Sequence, residues 1–196
     1  MKCFDRGEFA ESLREKNELE AINKVLYPSD NTEKGKLLRL MQEYFLVSAA
    51  MQDILTDYFE NNIGLQNLPE KVSVHINDTH PALCVPELMR LLIDKYKFGW
   101  DEAWHIVNRT VAYTNHTVMA EALEEGDIFL MRNVIPEVYH IIELINERLW
   151  NDFKGRGMTD DIIHRMCILS DDRVHMARLA IYGSSYVNGV AWIHTE

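Results

Sequence analysis

Residues 74–82, VHINDTHPA, decide how this chain folds. Val72, Val74 and Ile76 alternate with polar positions in the period-two pattern of a strand, which then breaks into Asn77, Asp78, Thr79 and His80. Pro81 follows, and LCVPELMRLLIDKY (83–96) returns to helical spacing. Four polar groups, two of them titratable, thus stand where a strand hands over to a helix. A structural reading makes Asp78 or Thr79 the cap of the helix that Pro81 opens. A functional reading turns Asp78 and His80 toward a ligand.

The pattern recurs. RTVAYTNHT (109–117) is β-branched and aromatic, and it also ends in a polar cluster carrying a histidine, His116. VMAEALEEGD (118–127) reads as the helix that follows. VHMARLAIYG (174–183) is a third strand candidate, and SSYVNGVAWIHTE (184–196) reads as the start of a helix. Strands separated by helical crossovers imply an α/β fold with a Rossmann-like parallel sheet flanked by helices. Ligands bind such sheets at the carboxyl ends of the strands, so Asp78, His80 and His116 are expected to converge on one crevice. Elsewhere, residues 8–25 form a mostly charged helix with a thin apolar line at Phe9, Leu13, Ile22 and Val25. Such a helix either projects into solvent or meets a partner along one seam. Residues 27–36 and 60–71 read as loops, and 37–59 as an interior helix packed from more than one side. Asp101 is expected to cap a short helix, 136–150 is amphipathic, and Thr159 is a candidate N-cap.

Acidic residues outnumber basic ones 31 to 20, for a net charge of −11, which argues against nucleic acid or an anionic membrane as the main partner. There is no transmembrane run, and MKCFDRGEFAE has no signal-peptide core. Cys3, Cys84 and Cys167 are read as free thiols of a cytoplasmic protein. The N-x-T triplets at Asn77, Asn108 and Asn115 are then chance matches. A two-metal phosphoesterase would use D-x-H (Asp78, His80) and N-H (Asn115, His116) as strand-end ligands, but the Gly-Asp and Gly-His-x-His that such a site also needs are absent, so no metal is expected. There is no glycine-rich phosphate loop or GxSxG elbow, and the only tight basic group, Lys34, Lys36 and Arg39, flanks a loop rather than a strand end.

LYPSDNTEKGKLLRLMQEYFLVSA (26–49), HINDTHPALCVPELMRLLID (75–94), AYTNHTVMAEALE (112–124) and VNGVAWIHTE (187–196) resemble, in order and spacing, the α-glucan phosphorylases that act on glycogen, starch and maltodextrin. The likeness runs from FDRGEF (4–9) to the end of the chain. It implies an internal piece of that enzyme, from the latter part of the N-terminal domain of a GT-B-type glycosyltransferase. Residues 1–27 would be a projecting dimer-contact helix and 28–196 the α/β part. The resemblance also implies phosphorolysis of α-1,4-glucan by inorganic phosphate to glucose 1-phosphate, with pyridoxal phosphate as cofactor. The attachment lysine and the basic phosphate-binding residues would lie in a C-terminal domain outside this chain, and the protein would be an allosteric cytoplasmic enzyme.

By motif position, the resemblance places His116 against the glucosyl unit, with its carbonyl stabilising positive charge that develops on the sugar. Asp78 and His80 line the pocket beside it. Asp30 and Asn31 fall in a gate loop from which Asn31 reaches the sugar, and Val190 contacts it through its backbone. Helix 8–25 would pair across a homodimer. Departures from the family pattern are Thr32-Glu33 where animal enzymes carry two aromatics, Ala120 in place of a common proline, and Ser185 where histidine is frequent. Two classes of function follow for the chain alone: an inactive catalytic half-site that needs the rest of the enzyme, or a glucan-binding or oligomerisation module.

Overall fold

The computed structural model describes residues 2–117, 119 and 122–191. It divides into two compact units, residues 1–46 and 47–196.

In the first unit, α1 (Lys2–Asp5) precedes α2 (Phe9–Lys24), and the expected charged helix is present. No α2 residue is buried, and Phe9, Leu13 and Leu19 are all more than half exposed. Arg14 pairs with Glu11 and Glu18, and Lys16 and Lys24 pair with Glu20, at the three- and four-residue spacings that support a solvated helix. The end of α2 is held by Gln42, whose amide donates to the Val25 carbonyl at 2.8 Å. The loop expected over 27–36 is shorter, because α3 (Glu33–Asn61) starts within it. Thr32 supplies the reason. Its hydroxyl accepts from the Gly35 N–H at 3.1 Å and its carbonyl from Lys36 at 2.9 Å, capping the helix early. Gly35 is required there, since a Cβ would fall 1.8 Å from the Ser29 carbonyl oxygen.

Along α3 the buried side chains Leu40, Val47, Met51, Leu55 and Tyr58 form one stripe, while Phe45 and Leu46 are about half exposed. From Val47 on the helix is buried on one side only, whereas over 35–44 no residue is exposed and Gln42 is buried opposite Leu40, so the expected packing from more than one side holds only there. The second loop expectation also fails: residues 65–71 wind into a 3₁₀ turn (Leu65–Asn67) and a helical turn, α4 (Leu68–Lys71), closed over buried Leu65 and Leu68.

The second unit carries the sheet. β1 (Val74–Asn77), β2 (Val111–Asn115) and β6 (Tyr186–Gly189) pair in parallel in the order β1-β2-β6, with Ile76 opposite Tyr113 and Thr114 opposite Asn188. After β1 comes α5 (Cys84–Arg90), which widens into a π-helical turn over Leu91–Lys95. Then α6 (Trp100–Thr110) leads into β2. Gly99 is the N-cap of α6. Asp101 lies inside the first turn and pairs with Arg148 at 2.6 Å instead of capping. β3 (Glu125–Asp127), α7 (Ile128–Val134), α8 (Pro136–Gly155) and α9 (Asp160–Met166) follow. The remaining elements are β4 (Leu169–Ser170), β5 (Arg173–His175) and α10 (Met176–Tyr182). α5 packs on α6 and α8, and Leu88, Met89, Val107, Tyr113, Ile142 and Ile145 are wholly buried in the core. The result is a mixed α/β unit with a parallel sheet flanked by helices.

Three expectations are corrected. The helix placed over 118–127 falls partly on positions outside the described residues, and its last part, Glu125–Asp127, is β3, in a small antiparallel sheet ordered β3-β5-β4. Helix α7 starts only after Asp127, whose carboxylate caps Leu130 N–H at 2.9 Å. The strand expected over 174–183 stops at His175. Met176, Ala177, Leu179 and Ala180 are buried at helical spacing, and these are helix-forming residues, so this segment is α10. The third parallel strand is β6, inside the stretch read as a helix. Thr159 holds the N-cap position of α9, but its side chain makes no capping bond.

Candidate functional site

Parallel pairing brings the carboxyl ends of β1, β2 and β6 together, and with them Asn77, Asn115 and Gly189. His116 follows β2 directly, and its Nε2 donates to Asn77 Oδ1 at 2.5 Å. Val190 follows β6, and its N–H donates to the Asn115 carbonyl at 2.9 Å. The NDTH and TNHT motifs and Val190 thus meet at one sheet edge.

Asp78 leaves the strand with φ +70°, a left-handed conformation that aspartate tolerates better than most residues. That turn lets its N–H extend the ladder to the Thr114 carbonyl at 3.0 Å, while its Oδ1 accepts the Thr79 N–H at 2.8 Å. Thr79 is buried, and its hydroxyl donates to Glu124 Oε2 at 2.7 Å. Neither side chain caps α5, which begins only at Cys84. Their polar groups fix the path of the loop instead, which sets aside the capping reading.

Beneath the edge runs a second chain of hydrogen bonds. Thr114 donates to Asn188 Oδ1 at 2.7 Å, so the His75 ring, 2.6 Å away, donates to the Thr114 hydroxyl. Asn115 Oδ1 accepts from the Thr117 N–H and from the Tyr113 hydroxyl at 3.1 and 3.2 Å. Burial pushes the pKa of Tyr113 up to about 12, with the Asp78 and Glu124 carboxylates adding to it, so the phenol remains a neutral donor.

Asn77, Asp78, His116 and Val190 therefore sit at one edge. His80 lies half-buried in the turn that follows Asp78. Asp30 and Asn31 belong to the first unit, where Asp30 pairs with Arg39 at 3.3 Å and the Asn31 N–H reaches Ser29 Oγ at 3.5 Å. Sequence reasoning passed over Asn77, Thr114, Asn188 and Glu124. Asn77 in NDTH, Thr114 in TNHT, Glu124 in AYTNHTVMAEALE and Asn188 in VNGVAWIHTE all lie within the quoted motifs, but nothing in their spacing singled them out. Neutral amides, hydroxyls and imidazoles with one or two carboxylates suit a polyhydroxylated neutral ligand. No lysine or arginine stands among the groups that meet here. Among the described residues there is also no cluster of three His, Cys, Asp or Glu able to hold a metal, and no helix long and apolar enough to cross a membrane.

The family model described as carbohydrate phosphorylase matches residues 1–196. Glycogen phosphorylase of Bacillus subtilis (strain 168) is 48% identical over 188 residues, covering 94% of this chain and 23% of that protein. The brain form of Rattus norvegicus and the muscle form of Homo sapiens are each 42% identical over 208 residues, covering 100% of this chain and 25% of theirs. The chain thus spans about a quarter of the length of these curated relatives. It belongs to the carbohydrate phosphorylase family.

Proposed function

We propose that the chain supplies the sugar-binding half of an α-1,4-glucan phosphorylase, which releases glucose 1-phosphate from glycogen or maltodextrin with inorganic phosphate. The observation that carries this is the meeting of His116, Asn77 and Val190 at the sheet edge, in a chain whose relatives are glycogen phosphorylases. His116 contacts the glucosyl unit, and its carbonyl lies where it stabilises an oxocarbenium-like transition state. Asp78 and His80 orient hydroxyls, Val190 contributes its backbone, and Asn31 with Asp30 forms the gate. The sheet is then part of a GT-B N-terminal domain over residues 28–196, and α2, within 1–27, pairs across a cytoplasmic homodimer.

The relatives' family implies pyridoxal phosphate. The residues at this sheet edge do not fit it: among the described residues that meet there, none is a lysine to hold the aldehyde and none a lysine or arginine for the phosphate. Those groups are assigned to the rest of the longer enzyme, and the chain alone is an inactive half-site. Incubation with pyridoxal phosphate, borohydride reduction and peptide mapping is expected to label no single lysine stoichiometrically, and maltodextrin with phosphate is expected to yield no glucose 1-phosphate. A stoichiometric label or turnover would show a complete enzyme. In the longer protein, His116→Ala keeps the carbonyl but removes the imidazole that contacts the glucosyl unit and is anchored on Asn77, and it is expected to raise the kcat barrier by about 2–4 kcal/mol with the fold intact.

A further inference from the structure

A second site lies away from the sheet edge. A cavity of about 470 Å³, within the usual range for small-molecule pockets, opens among α6, α8, α9 and α10. Three arginines reach its wall, Arg156, Arg165 and Arg178, together with the aromatic rings of Trp104, Phe153 and Tyr182. The lining holds one carboxylate, Asp152, and its Oδ2 already accepts the Tyr182 hydroxyl at 2.5 Å.

The arginines of the cavity have no carboxylate partner among the described residues, like Arg109, whose partner is His105. Arg39, Arg90, Arg132, Arg148 and Arg173 each face a carboxylate. Among the described residues, Arg156, Arg165 and Arg178 form no ion pair. Arg178 donates to the Cys167 carbonyl at 2.7 Å and to Ser170 Oγ at 3.3 Å, and Arg165 to the Asp161 carbonyl at 3.2 Å. Arg156 lies 6.0 Å from the Phe153 ring centroid. Neutral oxygens and a ring orient these guanidiniums without cancelling their charge. In a chain of net charge −11, three guanidiniums against the single Asp152 carboxylate leave this cavity with a local excess of positive charge. The rings are ordered too: Trp104 and Tyr182 lie 5.2 Å apart, and Phe153 and Tyr182 6.4 Å. Guanidiniums bind phosphate oxygens in bidentate fashion, and an aromatic wall favours a flat ring.

We infer that this cavity binds a small phosphate monoester carried on a planar ring, the phosphate on Arg156, Arg165 and Arg178 and the ring against Trp104, Phe153 and Tyr182. Its chemistry is the opposite of the sheet edge, which gathers no cation, so it is a separate binding site and not an extension of the sugar site.

The test is titration of the isotope-labelled chain with phenyl phosphate, with inorganic phosphate and phenol as the anion-only and ring-only probes. Phenyl phosphate is expected to bind about tenfold or more tighter than either and to shift the Trp104 indole resonance. Arg156 and Arg165 are exposed, so the pair R156Q/R165Q keeps the fold and is expected to weaken binding about tenfold. R178Q is a second variant, checked for folding because Arg178 also holds the Cys167 carbonyl. Equal affinity for phenol, unchanged affinity in R156Q/R165Q, or shifts that bypass Trp104 would overturn the assignment.

Discussion

His116 and Asn77 lie 39 residues apart in the chain and meet at 2.5 Å across the ends of two adjacent parallel strands. The bond fixes the imidazole by its Nε2, and the proposed sugar contact then falls to the His116 carbonyl and Nδ1 side. Both side chains are exposed, so removing the amide leaves the sheet intact. Asn77→Ala is expected to weaken glucan binding by roughly two- to tenfold, the worth of one orienting hydrogen bond, with an unchanged circular dichroism spectrum. An equal loss of thermal stability would make Asn77 structural instead.

The left-handed turn at Asp78 gives a stability prediction. Asp78→Ala keeps φ +70° at the cost of a Cβ without a local partner and loses the bond to the Thr79 N–H. Urea denaturation is expected to show a loss of about 1–2 kcal/mol, with Asp78→Asn well below that. Equal losses in the two variants would mean that charge, not backbone conformation, selects the residue.

His175 gives a pH prediction. Burial holds its pKa below the ordinary 6.5, and the nearby Arg178 charge acts the same way, against the Glu125 and Asp171 carboxylates. Its ring accepts or donates to Ser170 Oγ at 2.8 Å and faces Glu125 at 3.3 Å. The folded state therefore binds the proton less tightly than the unfolded state. The stabilisation from the neutral ring is present above pH 6.5 and is lost as the pH falls through the lowered folded value. Melting temperatures from pH 7.5 down to 5 are expected to fall more steeply for the native chain than for His175→Gln. Parallel profiles would refute the assignment.

The exposed α2 line bears on assembly. Phe9, Leu13 and Leu19 present apolar surface on a helix with no buried residue. Light scattering is expected to show a dimer or larger species that Leu13→Asp weakens. A strict monomer at high concentration would remove the dimer proposal.

The sequence revealed β1 and β2 because each joins β-branched residues to an abrupt polar ending, and Ile76 and Tyr113 are indeed buried opposite one another. It hid β6. Tyr186, Val187 and Asn188 are all exposed on this edge strand, so no buried face imprints a period of two. The segment VHMARLAIY misled for the opposite reason: it is apolar on nearly all sides, and only the burial of Met176, Ala177, Leu179 and Ala180 separates helix from strand. The His116–Asn77 contact followed from parallel topology. The Thr79–Glu124 bond, between residues 45 apart, had no pattern to announce it.

The most direct test of the sugar-binding half is amide shift mapping of the isotope-labelled chain titrated with maltoheptaose. Saturable shifts are expected at Asn77, Asp78, His116 and Val190, with the R156Q/R165Q cavity variant responding in the same way and His116→Ala losing the response. Shifts absent from this sheet edge, or unchanged in His116→Ala, would contradict the account.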